Sequence, residues 1–198
     1  MKKESNILIE LKEHIPFTAL ATFIAIVITG IFYFSNKESI SIITSLFYIF
    51  HPMHIFFSSL VTTAIFYKYK KNFFPAVIVG ILGSIIIGSL SDIILPYLGG
   101  TLLGFNTAFH LEAIEEPILI FGVSFIGCLT GIFIKTTKFP HSIHVFLSVF
   151  ATLFYVLAFS INLNFSSIIV LFCIVFIAVL LPCCFSDIVF PLLFMREK

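Results

Sequence analysis

Two histidine pairs carry the most direct chemistry in this sequence. His51 and His54 stand three residues apart, and His141 and His144 repeat that spacing. On a helix, residues i and i+3 share a face about one turn apart, so each pair can turn two imidazoles toward one point. Asp92 and Asp187 lie in strongly apolar surroundings, where an ionised carboxylate is costly and is usually kept for function. His110, Glu112, Glu115 and Glu116 fall close together, and His14 follows Glu13 near the start of the chain. Imidazoles with carboxylates make a mixed nitrogen and oxygen donor set, suited to a divalent transition metal: Zn, Mn, Fe, Co or Ni. The candidate ligands are therefore His14, His51, His54, Asp92, His110, Glu112, Glu115, Glu116, His141, His144 and Asp187.

Plainer roles compete at several of these positions. A single histidine at a membrane boundary, such as His14 or His110, is ordinarily an interfacial residue. Glu115 and Glu116 precede an apolar stretch, where a carboxylate is favoured by the helix dipole, and being adjacent they are expected to send at most one side chain to a site. Asp92 and Asp187 could simply hydrogen-bond a neighbouring helix. Cys183 and Cys184 lie beside Asp187 as soft donors, yet buried cysteine commonly packs as a small hydrophobe.

Proline adds a physical reason to single out the aspartates. Pro96 and Pro191 each follow an aspartate by four residues. Proline lacks the N–H that would bond the aspartate's carbonyl, which leaves a kink and a free acceptor beside the carboxylate.

The elements that must position these residues are helices in lipid. Of 198 residues, 60% are hydrophobic and 11% charged; that balance excludes an ordinary soluble domain. The expected fold is all-α, a polytopic membrane protein with six transmembrane helices. Spans are predicted at about 16–35, 45–67, 73–97, 117–135, 141–160 and 166–190, each near the length needed to cross the hydrocarbon core. Ser39–Phe50 is either an interfacial helix or an extension of the second span. Lys2, Lys3, Lys12, Lys68, Lys70, Lys71, Lys135, Lys138, Arg196 and Lys198 all fall on one side of such a bundle and only Lys37 on the other. Both termini are therefore expected in the cytoplasm, with the chain in the plasma membrane.

The sequence also resembles itself. His51-Pro-Met-His54-Ile-Phe-Phe-Ser58 recurs as His141-Ser-Ile-His144-Val-Phe-Leu-Ser148, and Thr62 recurs as Thr152. Ser91-Asp92-Ile-Ile-Leu-Pro96 recurs as Ser186-Asp187-Ile-Val-Phe-Pro191. Residues 1–98 then form one three-helix repeat, 99–116 an extracytoplasmic connection, and 117–198 the second repeat. Three spans per unit is an odd number, so the second copy must be inverted, a construction characteristic of transporters. On that topology the polar residues sort into two pseudo-symmetric clusters, one toward each face.

A transporter of a divalent transition-metal ion, or of a solute coupled to ions, is the favoured reading. An intramembrane metal-dependent enzyme of hydrolase type is the alternative, with its site at His51, His54, Asp92 and a glutamate. A structural subunit of a membrane complex is the third. No basic run points to nucleic acid, and the chain is too short to carry its own ATPase; six spans are few to enclose a pathway alone, so a homodimer is the expected partner besides the lipid bilayer.

Overall fold

The computed structural model describes residues 2–35, 39–134, 138–160 and 167–184, with side chains described over 15–31, 40–134, 139–160, 167 and 169–183. Within these residues every regular element is a helix. In chain order they are α1 (Lys2–Ser35), α2 (Ser39–Tyr69), α3 (Phe73–Ser89), a π-helical turn (Leu90–Ile94), α4 (Leu95–Leu102), α5 (Glu112–Glu115), α6 (Pro117–Phe133), α7 (Lys138–Phe159) and α8 (Ile168–Cys184).

Three helical stretches are long and apolar enough to cross a membrane: Ile40–Tyr69, Phe73–Leu102 and Phe139–Phe159. Three shorter apolar helices, Ile15–Ile31, Pro117–Phe133 and Ile169–Cys183, complete the bundle. Exposed Ile78, Leu82 and Ile86 recur at helical spacing on the outside, as do Ile118, Phe121 and Phe125. Apolar faces of this kind mark a protein–protein or a membrane contact, and the three long helices are consistent with the second.

Ser39–Phe50 belongs to α2 rather than to a separate interfacial helix. This moves the first histidine pair from the end of a span to its middle. At 1.5 Å per residue, His54 stands about 21 Å from Ile40 and about 22 Å from Tyr69 along the axis.

Helix α2 is the hub, packed against α3, α6 and α7. Helix α1 packs on α7 and α8, α7 on α8, and α3 on α6, while the π turn touches both α7 and α8. Close approach of α6 to α2 depends on glycine. A Cβ on Gly127 would collide with the backbone carbonyl of Phe56 and the Ser59 hydroxyl, and one on Gly131 with the Leu60 carbonyl. Small residues at such contacts let helices in lipid gain van der Waals packing where no hydrophobic driving force separates them from their solvent.

Helices α2 and α7 run antiparallel. Phe47 meets Tyr155 edge to face at 5.4 Å, Phe50 meets Phe154 at 5.2 Å, and His54 meets His144 at 4.6 Å. The connection 103–111 lies over the end of the bundle where α4 and α7 finish. There Ala108 N–H donates to the Phe159 carbonyl at 2.7 Å, and the Thr107 and Ser160 hydroxyls bond at 2.8 Å.

Candidate metal centre

Asp92 is fully buried and organises the site. One of its oxygens, Oδ2, takes hydrogen bonds from both imidazoles of the first pair, His51 Nδ1 at 2.8 Å and His54 Nδ1 at 2.6 Å. The other, Oδ1, accepts from Ser91 Oγ at 2.7 Å and from Ser148 Oγ at 2.8 Å. Four donors from four residues on three helical segments thus compensate one carboxylate, which is what makes a buried charge tolerable.

The helix geometry behind this follows from the local sequence. Pro96 cannot bond the Asp92 carbonyl. Ahead of it the backbone winds as a π turn, with Leu95 N–H reaching back five residues to the Leu90 carbonyl. Such a turn absorbs one residue more than an α-turn and recurs at functional positions. Ser91, Asp92 and Ile93 are buried within it, and Thr152 of α7 hydrogen-bonds the Ser91 carbonyl at 3.2 Å.

The spacing around Asp92 is that of hydrogen bonds. Ligands arranged tetrahedrally around one zinc-sized ion at about 2.0–2.1 Å would stand roughly 3.3 Å apart. In the observed arrangement the aspartate therefore orients the two rings, and both spend Nδ1–H on it. Their Nε2 atoms are left buried with no hydrogen-bond partner. A carboxylate that fixes imidazoles by Nδ1 and leaves Nε2 as donor is the arrangement found behind metal-bound histidine. The residues present fit a transition-metal ion on these grounds.

The structure does not keep the two predicted clusters apart. His144 of α7 stacks on His54, and His141 lies one turn further along with its ring 6.0 Å from that of His144. Glu112 is buried under the connection with both carboxylate oxygens lacking a partner. It lies within electrostatic reach of His51 and Asp92, and burial pushes its carboxyl up to about 7. The result is one column, in the order Glu112, His51, His54 beside His144, and His141, with Asp92 bracing the middle.

Other candidates lie apart. His110 and Glu115 approach each other at 3.4 Å at the exposed rim, and Glu115 also accepts from Leu111 N–H at 3.2 Å. Glu116 is exposed where α6 begins. Neither adjacent glutamate reaches the column, because Pro117 starts a new helix and turns both outward. Asp187 lies outside the described residues, as does the side chain of His14. One residue enters that sequence reasoning set aside as packing: Cys183 is buried, with Sγ 3.6 Å from Ser148 Oγ and its donor atom within 4.8 Å of those of His54 and His144. Its only signal in the sequence was its place four residues before Asp187.

Compared with known proteins, the chain matches no family model, no curated sequence and no solved structure.

Proposed function

We propose that the chain is a membrane transporter for a divalent transition-metal ion, built as a three-plus-three inverted repeat of six spans with both termini in the cytoplasm. The observation that carries this reading is the column that runs from buried Glu112 through buried His51, His54 and His144 to half-buried His141, to which both halves contribute. Its histidines occupy adjacent turns, His51 and His54 midway along α2 and His144 and His141 near the start of α7, with Glu112 beyond them at the start of α5, as successive stations for a cation would be. An enzyme needs one site, whereas a path needs a series.

Packing relations support the repeat. Exchanging α1 with α6, α2 with α7 and α3 with α8 turns the α2–α6 contact into α7–α1, α2–α3 into α7–α8, and α3–α6 into α8–α1, and all six contacts occur. His144 is the counterpart of His54, 90 positions later. Equivalent residues of two inverted copies can touch only where the pseudo-two-fold axis passes, and these two stack at 4.6 Å.

The test is metal analysis of purified protein together with metal accumulation by cells. Stoichiometric metal in the wild type, lost in a His51→Ala/His54→Ala double variant, is the expected result. Metal-free wild type that is unmoved by chelator would end the proposal. Equal loss of accumulation in Asp92→Asn and His144→Ala is expected of transport.

An intramembrane metalloenzyme is the second reading, favoured by Glu112. A buried carboxyl without a partner, held near 7 beside His51, has the properties of a general acid–base group acting on a bound water. Activity confined to the Glu112 end, with His144→Ala silent, would select it.

A further inference from the structure

Resting on the reading of a metal-ion path, we infer that His54, His144 and Cys183 form a sulfur-containing site where the two halves meet, and that its ion is a thiophilic one of the Zn2+ type rather than Mn2+. The three are buried, and their donor atoms lie within 4.8 Å of one another. Around a tetrahedral zinc, nitrogen and sulfur donors at about 2.0–2.3 Å from the ion stand roughly 3.3–3.6 Å apart. The gap to be closed is about an ångström, within reach of small side-chain rotations.

His54 belongs to two groups of possible donors, with His51 and Asp92 on one side and with His144 and Cys183 on the other. Its Nδ1 is committed to Asp92 at 2.6 Å, while its Nε2 is buried without a hydrogen-bond partner. That atom is the one left to bind an ion. A buried imidazole nitrogen with nothing to bond is costly to maintain, so its persistence calls for a ligand. Pro182 stands immediately before Cys183 inside α8, where the backbone cannot complete its regular bonding. Ser148 joins the two groups, with its hydroxyl 2.8 Å from Asp92 Oδ1 and 3.6 Å from Cys183 Sγ.

A donor set with one sulfur and two imidazoles separates ions that a purely nitrogen and oxygen set does not. Thiolate favours zinc and other late ions, while Mn2+ prefers carboxylate and water. On coordination the thiol S–H bond breaks, a sulfur lone pair binds the ion, and the proton leaves to the medium, one for each ion taken up.

The experiment loads the purified full chain with Co2+, a spectroscopic substitute for zinc, and records its absorption. A thiolate-to-cobalt band in the near ultraviolet is expected in the wild type. It should be lost in Cys183→Ser, kept in Cys184→Ser, displaced by one equivalent of Zn2+, and unmoved by excess Mn2+. Helix content and elution volume of each variant establish that it is folded, and release of one proton per Co2+ gives an independent reading on the wild type. Bound Co2+ showing only visible bands overturns the sulfur site and leaves the metal path standing. Loss of the band in Cys184→Ser instead of Cys183→Ser, or displacement by Mn2+, also overturns it. A wild type that retains no Co2+ or Zn2+ sinks both readings together.

Discussion

Helix α2 has two opposed faces, and they solve different problems. At about 100° per residue, Phe47, His51 and His54 fall on one side of the helix and Phe56, Ser59, Leu60 and Thr63 on the other. The second side meets α6 and α3 through glycines, so closely that a single methyl group has nowhere to go at Gly127 or Gly131. The first side meets α7 through aromatic rings and imidazoles, with centroids 4.6–5.4 Å apart. One face fixes where the helix stands, and the other holds polar groups that gain from being held. Chemistry in a bilayer needs both, because a buried carboxylate is stable only while its donors stay within a few tenths of an ångström.

Breaking the chemical face should cost most. Asp92→Ala removes the acceptor for two imidazoles and two hydroxyls. Stripping one partner from a buried, hydrogen-bonded charge typically costs about 3–5 kcal/mol, so thermal unfolding in detergent should begin at markedly lower temperature and bound metal should vanish. Ser148→Ala deletes one of the four donors to Asp92. A hydrogen bond to a charged group is worth about 1.5–3 kcal/mol; chemical denaturation should report a loss of that size with metal stoichiometry retained.

The packing face should break differently. Gly131→Ala forces α6 from α2, at about 1–3 kcal/mol for overpacking. It should lower stability without abolishing metal binding, and a variant that loses metal while remaining fully stable would dissolve the division between the faces. The last effect, one of pH, belongs to Glu112. Its folded value of about 7 lies above the ordinary 4.5 of a glutamate, so the folded state holds the proton more tightly than the unfolded chain. Its contribution is fully present below about 4.5 and is lost as pH rises toward and through about 7. Glu112→Gln should flatten that part of a stability-against-pH curve, and an unchanged slope would show that the carboxyl is not held in its neutral form.

Much of this arrangement is legible in the sequence. Hydropathy marks the apolar helices, and the three-residue spacing pairs the histidines of each set on one face. Proline four residues beyond Asp92 points to irregular backbone there, and the turn at Leu90–Ile94 is π-helical. What was not legible depends on contacts between distant parts. A helix pattern gives a residue's face but not its depth against a neighbour, so the two histidine pairs read as separate clusters when α2 and α7 in fact bring His54 against His144. Glu112, Glu115 and Glu116 look alike on paper. The fold buries Glu112 because the connection drapes over the end of the bundle and leaves the other two at the rim. Cys183 gains interest only when α8 is set beside α7.

The π turn sets a phase as well as a hydrogen-bonding pattern. With one residue more than a regular turn, Leu90–Ile94 rotates everything after it by about 100° relative to an uninterrupted α-helix. Gly100 owes to that offset its seat against Thr107 of the connection. Deleting a single residue from the turn would leave a straighter helix of almost the same composition. It would also swing α4 to another side of the bundle, so the connection above Glu112 could no longer close.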